Sequence, residues 1–595
     1  MRKNLLAKSI ATMISGFALV GGAQAVIVFN PTAPATVAAA TVLEVNTDNI
    51  GHSLLYPYYT VQGDNYTLFS VVNTDVQNGK AIKVRFRGAE NSDDVYDITV
   101  LLSPGDVWNA SISRTSTGIA SLTTFDKSCT LPPNVNSTFV TARLSLAATD
   151  AQRAQSTTEG YIEVFNMADI PPTLTAPAGG GVNPLFTAIK HVGGVPPGCV
   201  SAATNALFVD PATGLAAEQA GLSAPTTGLV GSFTILNGPA GTSWAGPATG
   251  IEARIAASDI PGFGNIVFFP QNNNGVLPAT VLTATADPIL RGGVADNRLA
   301  IGAPGVAPVA ALSFDFPDMS TPYLNADAPA AASGAAARRQ AYRLSRALAV
   351  SSITNEYLTG SGILATTDWT LSSPTRRYNV ARNYTTAPAT TLYTNYTFDD
   401  TNTAVGTVAV PPAGFLATVT NYYTPDNTTV STTASQPFGV ICVSGNTFAA
   451  GSTLPVAGNP ANLISGQQSN TEEGFQGAAA SNFVISPGTP TIVRSLCGEV
   501  SVLSFNALQP ALSTLNAQLT RFNLDSPFPA GWARIATPGL PVAAGQGLGA
   551  STRNGLPIIG SSFVQFTNNN AVAGGANART IGNYDQTITH RATRY

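Results

Sequence analysis

Ile82-Lys83-Val84-Arg85-Phe86-Arg87 alternates without a break: Ile82, Val84 and Phe86 fall on one side, Lys83, Arg85 and Arg87 on the other. Successive side chains of a strand point to opposite faces, so this period predicts a half-buried β-strand, apolar side inward and cationic side in water. Tyr96, Ile98 and Val100 against Asp97 and Thr99 repeat the pattern after a turn, and Gly105-Asp106 closes the unit before Trp108. Upstream, Leu54 to Val61 and Thr67 to Val72 read as two more strands, separated by Gly63-Asp64-Asn65, whose residue types favour a tight turn. Four strands with short connections predict an antiparallel sandwich.

Shorter strands are expected at Thr138 to Leu144, Gly160 to Phe165, Val230 to Leu236 and Asn265 to Phe269, with long Pro, Gly and Ala-rich loops at 171–184 and 196–220. Loops of that length point to interfaces or function. Ala330 to Leu348 breaks the pattern. It is Ala-rich, carries Arg338, Arg339, Arg343 and Arg346 and follows three prolines, which predicts a helix. Strands resume at Thr366 to Leu371, Arg376 to Val380, Gly414 to Thr420, Gly439 to Val443 and Ile492 to Leu496, then at Gly531 to Ile535 and Ser561 to Phe566. The expected fold is therefore mainly β: antiparallel β-sandwich domains with long loops and one Ala/Arg-rich helix near 330–350. The expected divisions are an extended arm at 26–41, a β-sandwich domain at 42–300, and a second β-rich domain at 301–595 that begins with the helix.

Arg2, Lys3 and Lys8 precede an apolar run from Ile10 to Val20 that ends on Ala23-Gln24-Ala25, the pattern of a secretory signal peptide over 1–25. The run is too short to span a bilayer, which takes about 20 residues. A transmembrane β-barrel, whose signal per strand is weak, is the membrane alternative, and the chain does end on Tyr595. Charged residues make up 10% of the chain, against about 25% in ordinary soluble domains. The surface must therefore be covered by Thr, Ser, Asn, Gln and Gly, a weakly self-repelling composition suited to packing against copies of itself. Without the three cations of the leader, 26 cations face 33 anions, a net charge of −7, which offers no electrostatic footprint for nucleic acid. Cys129, Cys199, Cys442 and Cys497 all follow the leader and enter an oxidising compartment. Three pairings are possible; Cys129 with Cys199 and Cys442 with Cys497 is the expected one, each pair stapling its own half.

Little in the chain points to catalysis. His52, His191 and His590 show no metal-ligand spacing, and Gly-x-Ser-x-Gly, Ser-x-x-Lys and the phosphate-binding glycine loops are missing from the sequence. The paired carboxylates Asp93-Asp94 and Glu472-Glu473 are adjacent, so on a strand they point apart and are poorly placed to flank one bond. Calcium is the one ion worth considering, because it takes oxygen ligands from carboxylates and loop carbonyls. The candidate ligands are Glu90, Asp93 and Asp94 in the turn after the first alternating strand, and Asp399 and Asp400 in a second turn. Neither turn has EF-hand spacing.

Leu54-Leu55-Tyr56-Pro57-Tyr58-Tyr59-Thr60, Ser70-Val71-Val72-Asn73-Thr74, Lys83-Val84-Arg85-Phe86 and Leu102-Ser103-Pro104-Gly105-Asp106-Val107-Trp108 resemble a family of proteobacterial secreted cell-surface, surface-layer-like β-proteins. Asn355-Glu356-Tyr357, Thr367-Asp368-Trp369 and Pro374-Thr375-Arg376-Arg377 fit the same pattern. The resemblance implies export, an extracellular location, no established enzymatic activity and, in some members, a surface-layer role; it transfers no catalytic residue. The expected function is a structural subunit that assembles with itself into an ordered layer on the outside of a Gram-negative cell, with outer-membrane lipopolysaccharide as a further partner. The alternative is a fibre or adhesin subunit binding a partner or polysaccharide, with Tyr58, Tyr59, Tyr422 and Tyr423 as stacking residues or, more simply, as strand packing. A secreted enzyme comes third.

Overall fold

The computed structural model describes residues 28–268, 317–325 and 334–375 with short breaks, and beyond them 381–383, 390–393, 447–449, 467–469, 475–477, 493–495, 499–506, 513–519, 521–525, 530–536, 556–572 and 579–594. The leader, Asp399, Asp400, Tyr422, Tyr423, Cys442, Cys497 and the strands expected at 376–380, 414–420 and 439–443 lie outside the described residues.

The N-terminal half supplies β1 (Val42–Asn46), β2 (Ser53–Thr60), β3 (Asn65–Asn73), β4 (Gly79–Gly88), β5 (Asp94–Leu102), β6 (Val107–Arg114), β7 (Ala120–Thr123), β8 (Cys129–Leu131), β9 (Ser137–Thr138) and β10 (Glu159–Ile170). A small hairpin follows, β11 (Thr173–Leu174) with β12 (Gly181–Val182), and then β13 (Leu229–Asn237), β14 (Thr242–Pro247) and β15 (Thr249–Arg254). They form an antiparallel seven-stranded sheet, β1-β15-β2-β10-β4-β5-β8, and a six-stranded one, β14-β13-β3-β6-β7-β9. β13 and β15 return from far along the chain to pair with β3 and β2, which closes the unit. Between the sheets, Leu54, Tyr56, Ile82, Val84, Phe86, Ile98 and Ile162 meet Phe69, Trp108, Ile112, Phe233 and Ile235.

The C-terminal half builds two five-stranded sheets. One runs Phe475–Gly477, Gln467–Ser469, Ala530–Ala536, Ser352–Leu358, Arg591–Thr593; the other runs Arg521–Asp525, Val500–Asn506, Ala365–Ser372, Ser561–Val572, Arg579–Thr589. The protein is thus mainly β, in open antiparallel sheets rather than closed barrels, with one parallel pair between Val500–Asn506 and Arg521–Asp525. No helix among the described residues is long and apolar enough to cross a membrane.

The helix spans Gly334–Leu348, all good helix formers after its first residue apart from Tyr342 and Ser345. It does not sit on the second half alone. Ala341, Leu344, Ala347 and Leu348 join a core with Leu43, Leu55, Leu101, Phe165 and Ile251, on the face of the seven-stranded sheet that looks away from its partner sheet. Each such buried leucine contributes about 1.5–3 kcal/mol.

The expected arm at 26–41 is docked where it is described: Phe29 bridges to Ile266, Ala39 to Phe263, and Val28 and Ala40 are buried. Among the described residues, the strand expected at Thr138 to Leu144 is represented by β9, and that at Asn265 to Phe269 by the bridge at Ile266. The loops at 171–184 and 196–220 contain short helices at Ala202–Asn205 and Gly214–Gln219, and Pro184–Ile189 follows the first. Their caps, Asn183, Ser201 and Thr213, accept backbone N–H groups that the first turn leaves unpaired.

Candidate functional site

The cationic face of β4 does not meet water. Lys83, Arg85 and Arg87 are fully buried, a correction to the half-exposed strand that their alternation predicts. Each charge is matched from a neighbouring strand: Lys83 Nζ lies 3.1 Å from Asp97 Oδ1, Arg85 pairs with Asp94, and Arg87 Nε lies 3.3 Å from Glu163 Oε2 of β10. Lys80 Nζ sits 2.8 Å from Asp169. The antiparallel register places Arg85 between Asp97 and Glu163, so the sheet itself forms an alternating ladder of opposite charge. Burial pulls the Lys83 ammonium down to about 8, against the pull of Asp97 in the other direction.

The turn between β4 and β5 holds three of the five candidate calcium ligands, and it is plugged into the contact between the two halves. Glu90, Asp93 and Asp94 are buried, and Val500 N–H donates to Ala89 O across the contact at 3.0 Å. Asp94 is held by Arg85, and Glu90 Oε2 accepts the Ser156 hydroxyl at 2.7 Å. Desolvation pushes the Glu90 carboxyl up to about 8. Among the described residues no group of three or more His, Cys, Asp or Glu side chains is arranged to hold a metal ion.

The same contact is fastened by two buried carboxylates, one from each half. Glu159 Oε1 accepts the N–H groups of Gln518 and Leu519 at 2.8 and 3.2 Å, and Oε2 accepts the Tyr58 hydroxyl at 2.9 Å. Asp368 accepts Leu515 N–H at 2.9 Å and the Ser513 hydroxyl. The segment 513–519 is therefore a strap held on one side by Glu159 and on the other by Asp368. Burial raises both carboxyls and lowers the Arg521 guanidinium, the latter against the attraction of Asp368 and Glu159. Gly63 is needed here: it has φ +55°, and a Cβ would stand 2.6 Å from the Asn516 side chain. Tyr58 and Tyr59 are fully buried, so they pack and do not stack on a ligand.

The histidines are structural. His52 accepts Ala253 N–H at Nδ1 and, by the tautomer that its partners fix, donates from Nε2 to Gly262 O at 2.8 Å. His590 donates from Nε2 to Thr370 O and accepts Asn355 Nδ2 at Nδ1, both at 3.0 Å. Burial lowers their pKa values from 6.5 to about 3 and about 4. Below pH 6.5 the unfolded chain takes up a proton that the folded His590 refuses, so its stabilisation is complete above 6.5 and is lost as pH falls toward 4. Relative to His590→Gln, the wild type should lose up to about 1.4 kcal/mol per pH unit across that window, read as a converging pair of urea midpoints between pH 7.5 and 4.5.

His191 gathers a serine and an aspartate that the spacing of the sequence did not connect. Its Nδ1 lies 2.9 Å from Ser103 Oγ and 3.5 Å from Asp106 Oδ2. A nucleophilic relay needs hydroxyl and carboxylate on opposite ring nitrogens; here both share one. Asp106 Oδ2 also accepts Ser103 N–H at 3.0 Å and Ser128 Oγ at 3.2 Å, so the cluster fastens the β5–β6 turn.

The open surface of the first sandwich is the outer face of the six-stranded sheet. There β3, β6 and β13 do alternate between buried and exposed residues. Ser70, Asn109, Ser111, Ser232 and Thr234 line a shallow groove of about 690 Å³, open to solvent, with Phe125 on its rim and Asp126 the one ionisable side chain lining it among the described residues.

No protein-family model, curated protein or solved structure matches this chain.

Cys129 and Cys199 form a disulfide with a Cα–Cα distance of 4.9 Å, tying β8 to the segment that His191 also anchors. The bridge closes a sequence separation of 70 residues, and a long closed loop restricts the unfolded chain strongly. Cys199→Ser should lower stability by about 2–4 kcal/mol, measured as the shift in thermal midpoint under non-reducing conditions.

Proposed function

We propose that the chain is a structural cell-surface protein that assembles with itself into an ordered outer layer on a Gram-negative cell, with calcium and outer-membrane lipopolysaccharide as candidate partners. The observation that carries this reading is where the charge goes. The chain has little of it, and Lys80, Lys83, Arg85 and Arg87 are spent inside the fold with their carboxylates. The sheet face left to solvent is covered by hydroxyls, amides and scattered apolar side chains, Tyr66, Leu68, Val107 and Leu236 among them. Surfaces of that kind repel their own copies weakly.

Electron microscopy of negatively stained envelopes, before and after washing with a calcium chelator, tests the reading. A periodic array shed together with this chain is the expected result. Envelopes without an array, and the chain found only in filaments or in the medium, would overturn it.

A further inference from the structure

We infer that the groove on the outer face of the six-stranded sheet binds a neutral polysaccharide, with Phe125 as the platform on which a sugar ring stacks. Phe125 is 88% exposed, yet it is not on a loose loop. Thr124 Oγ1 donates to Asn109 O at 2.6 Å, and Thr124 N–H donates to Asn136 Oδ1 at 2.8 Å. On its other side Asp126 Oδ1 accepts Ser128 N–H at 2.8 Å and Ser128 Oγ at 2.7 Å, and Oδ2 accepts Asn109 N–H at 3.3 Å. The residues on both sides of the ring are thus tied to the sheet and its neighbouring turns, and the ring is presented at the rim from a backbone that is already ordered.

The chemistry of the floor selects the ligand. Ser70 and Ser232 hydroxyls lie 2.9 Å apart across β3 and β13, and the Ser111 hydroxyl donates to Thr123 O at 3.2 Å, so the floor sets fixed hydroxyls, which can still accept or donate outward, beside the exposed Leu68. An anionic ligand would find no cation among the lining residues and would meet the Asp126 carboxylate, whose oxygens are tied to Asn109 and Ser128. An apolar peptide would strip water from the hydroxyls without replacing it. A neutral glycan offers hydroxyls for the floor and a flat C–H face for the aromatic ring. The groove crosses β13, β3, β6 and β7, three strand spacings or about 14 Å, the length of a short oligosaccharide. This inference does not rest on the layer reading, since it concerns one face of one sandwich.

Affinity electrophoresis of the full mature chain in gels containing dextran, mixed-linkage β-glucan, galactomannan or, as a charged control, alginate tests it. Retardation by at least one neutral polysaccharide and not by alginate is expected, with Phe125→Ala weakening it about tenfold or more, Ser232→Arg abolishing it and Phe125→Tyr retaining it, all at an unchanged thermal midpoint. Migration unaffected by every neutral polysaccharide would overturn the inference. So would retardation that both Phe125→Ala and Ser232→Arg leave intact. If Phe125→Ala instead changes the sedimentation of the chain and leaves glycan binding alone, the face belongs to contacts between copies, and the inference fails while the layer reading gains.

Discussion

Arg85→Ala is expected to destabilise the chain by about 3–5 kcal/mol, because removing one partner of a buried ion pair leaves the other charge in a medium that cannot solvate it. The Arg85 and Asp94 side chains are 0% and 1% exposed, so no water can replace the guanidinium. The register sharpens the effect: Arg85 stands between Asp97 and Glu163, and its loss takes one cation out of a ladder in which Asp94, Asp97 and Glu163 lie close together. Replacing the pair together, Arg85→Met with Asp94→Leu, should cost far less or nothing, since two apolar groups of similar volume need no compensation. Urea midpoints at constant m-value distinguish the cases. Equal losses in the single and double variants would mean that the ladder is held by packing rather than by charge.

The second large effect is expected at Glu159. Glu159→Ala deprives Gln518 and Leu519 N–H and the Tyr58 hydroxyl of their acceptor, and each buried donor left unsatisfied costs about 1–3 kcal/mol. Because those donors belong to both halves, the loss should show as a change of cooperativity as well as of midpoint. The wild type should unfold in one step. The variant should open the strap first, visible as faster proteolysis within 513–519 and a biphasic urea curve. Glu159→Gln keeps an acceptor and removes a charge whose carboxyl burial already raises, so it should stay close to wild type. A monophasic curve for Glu159→Ala with an unshifted midpoint would show that the halves are held without the strap.

Much of the fold was legible in the pattern of residues. Thr67 to Val72 and Val230 to Leu236 were expected as strands and lie within β3 and β13, whose burial alternates. The Arg-rich helix was expected from Ala330 and begins at Gly334. The short helices at Ala202–Asn205 and Gly214–Gln219 escaped because four to six residues carry no measurable period, although Ser201 and Thr213 were available as capping signals. Of the candidate calcium ligands the turn carried the composition but not the environment: nothing local to Glu90-Asn91-Ser92-Asp93-Asp94 says that Val500 and Ser156 will close over it. The groove beside Phe125 was missed for a related reason. Its lining comes from four strands, each contributing one or two ordinary hydroxyl residues that look like exposed strand positions one at a time.

By itself the sequence determined what backbone geometry makes local: the two-residue period of β4 and β5, the turn at Gly63-Asp64, the helix before Ala349, and a surface short of charge. Only the tertiary structure decided which polar faces would meet water. The cationic residues of β4 read as a solvated face, yet they are buried against carboxylates, whereas on β3 the apolar Tyr66 and Leu68 are left exposed. The reason is that alternation is set by the direction of successive Cα–Cβ bonds along one strand, whereas burial is set by whatever packs from elsewhere. For Glu159 the deciding partner lies 359 residues away, at Gln518.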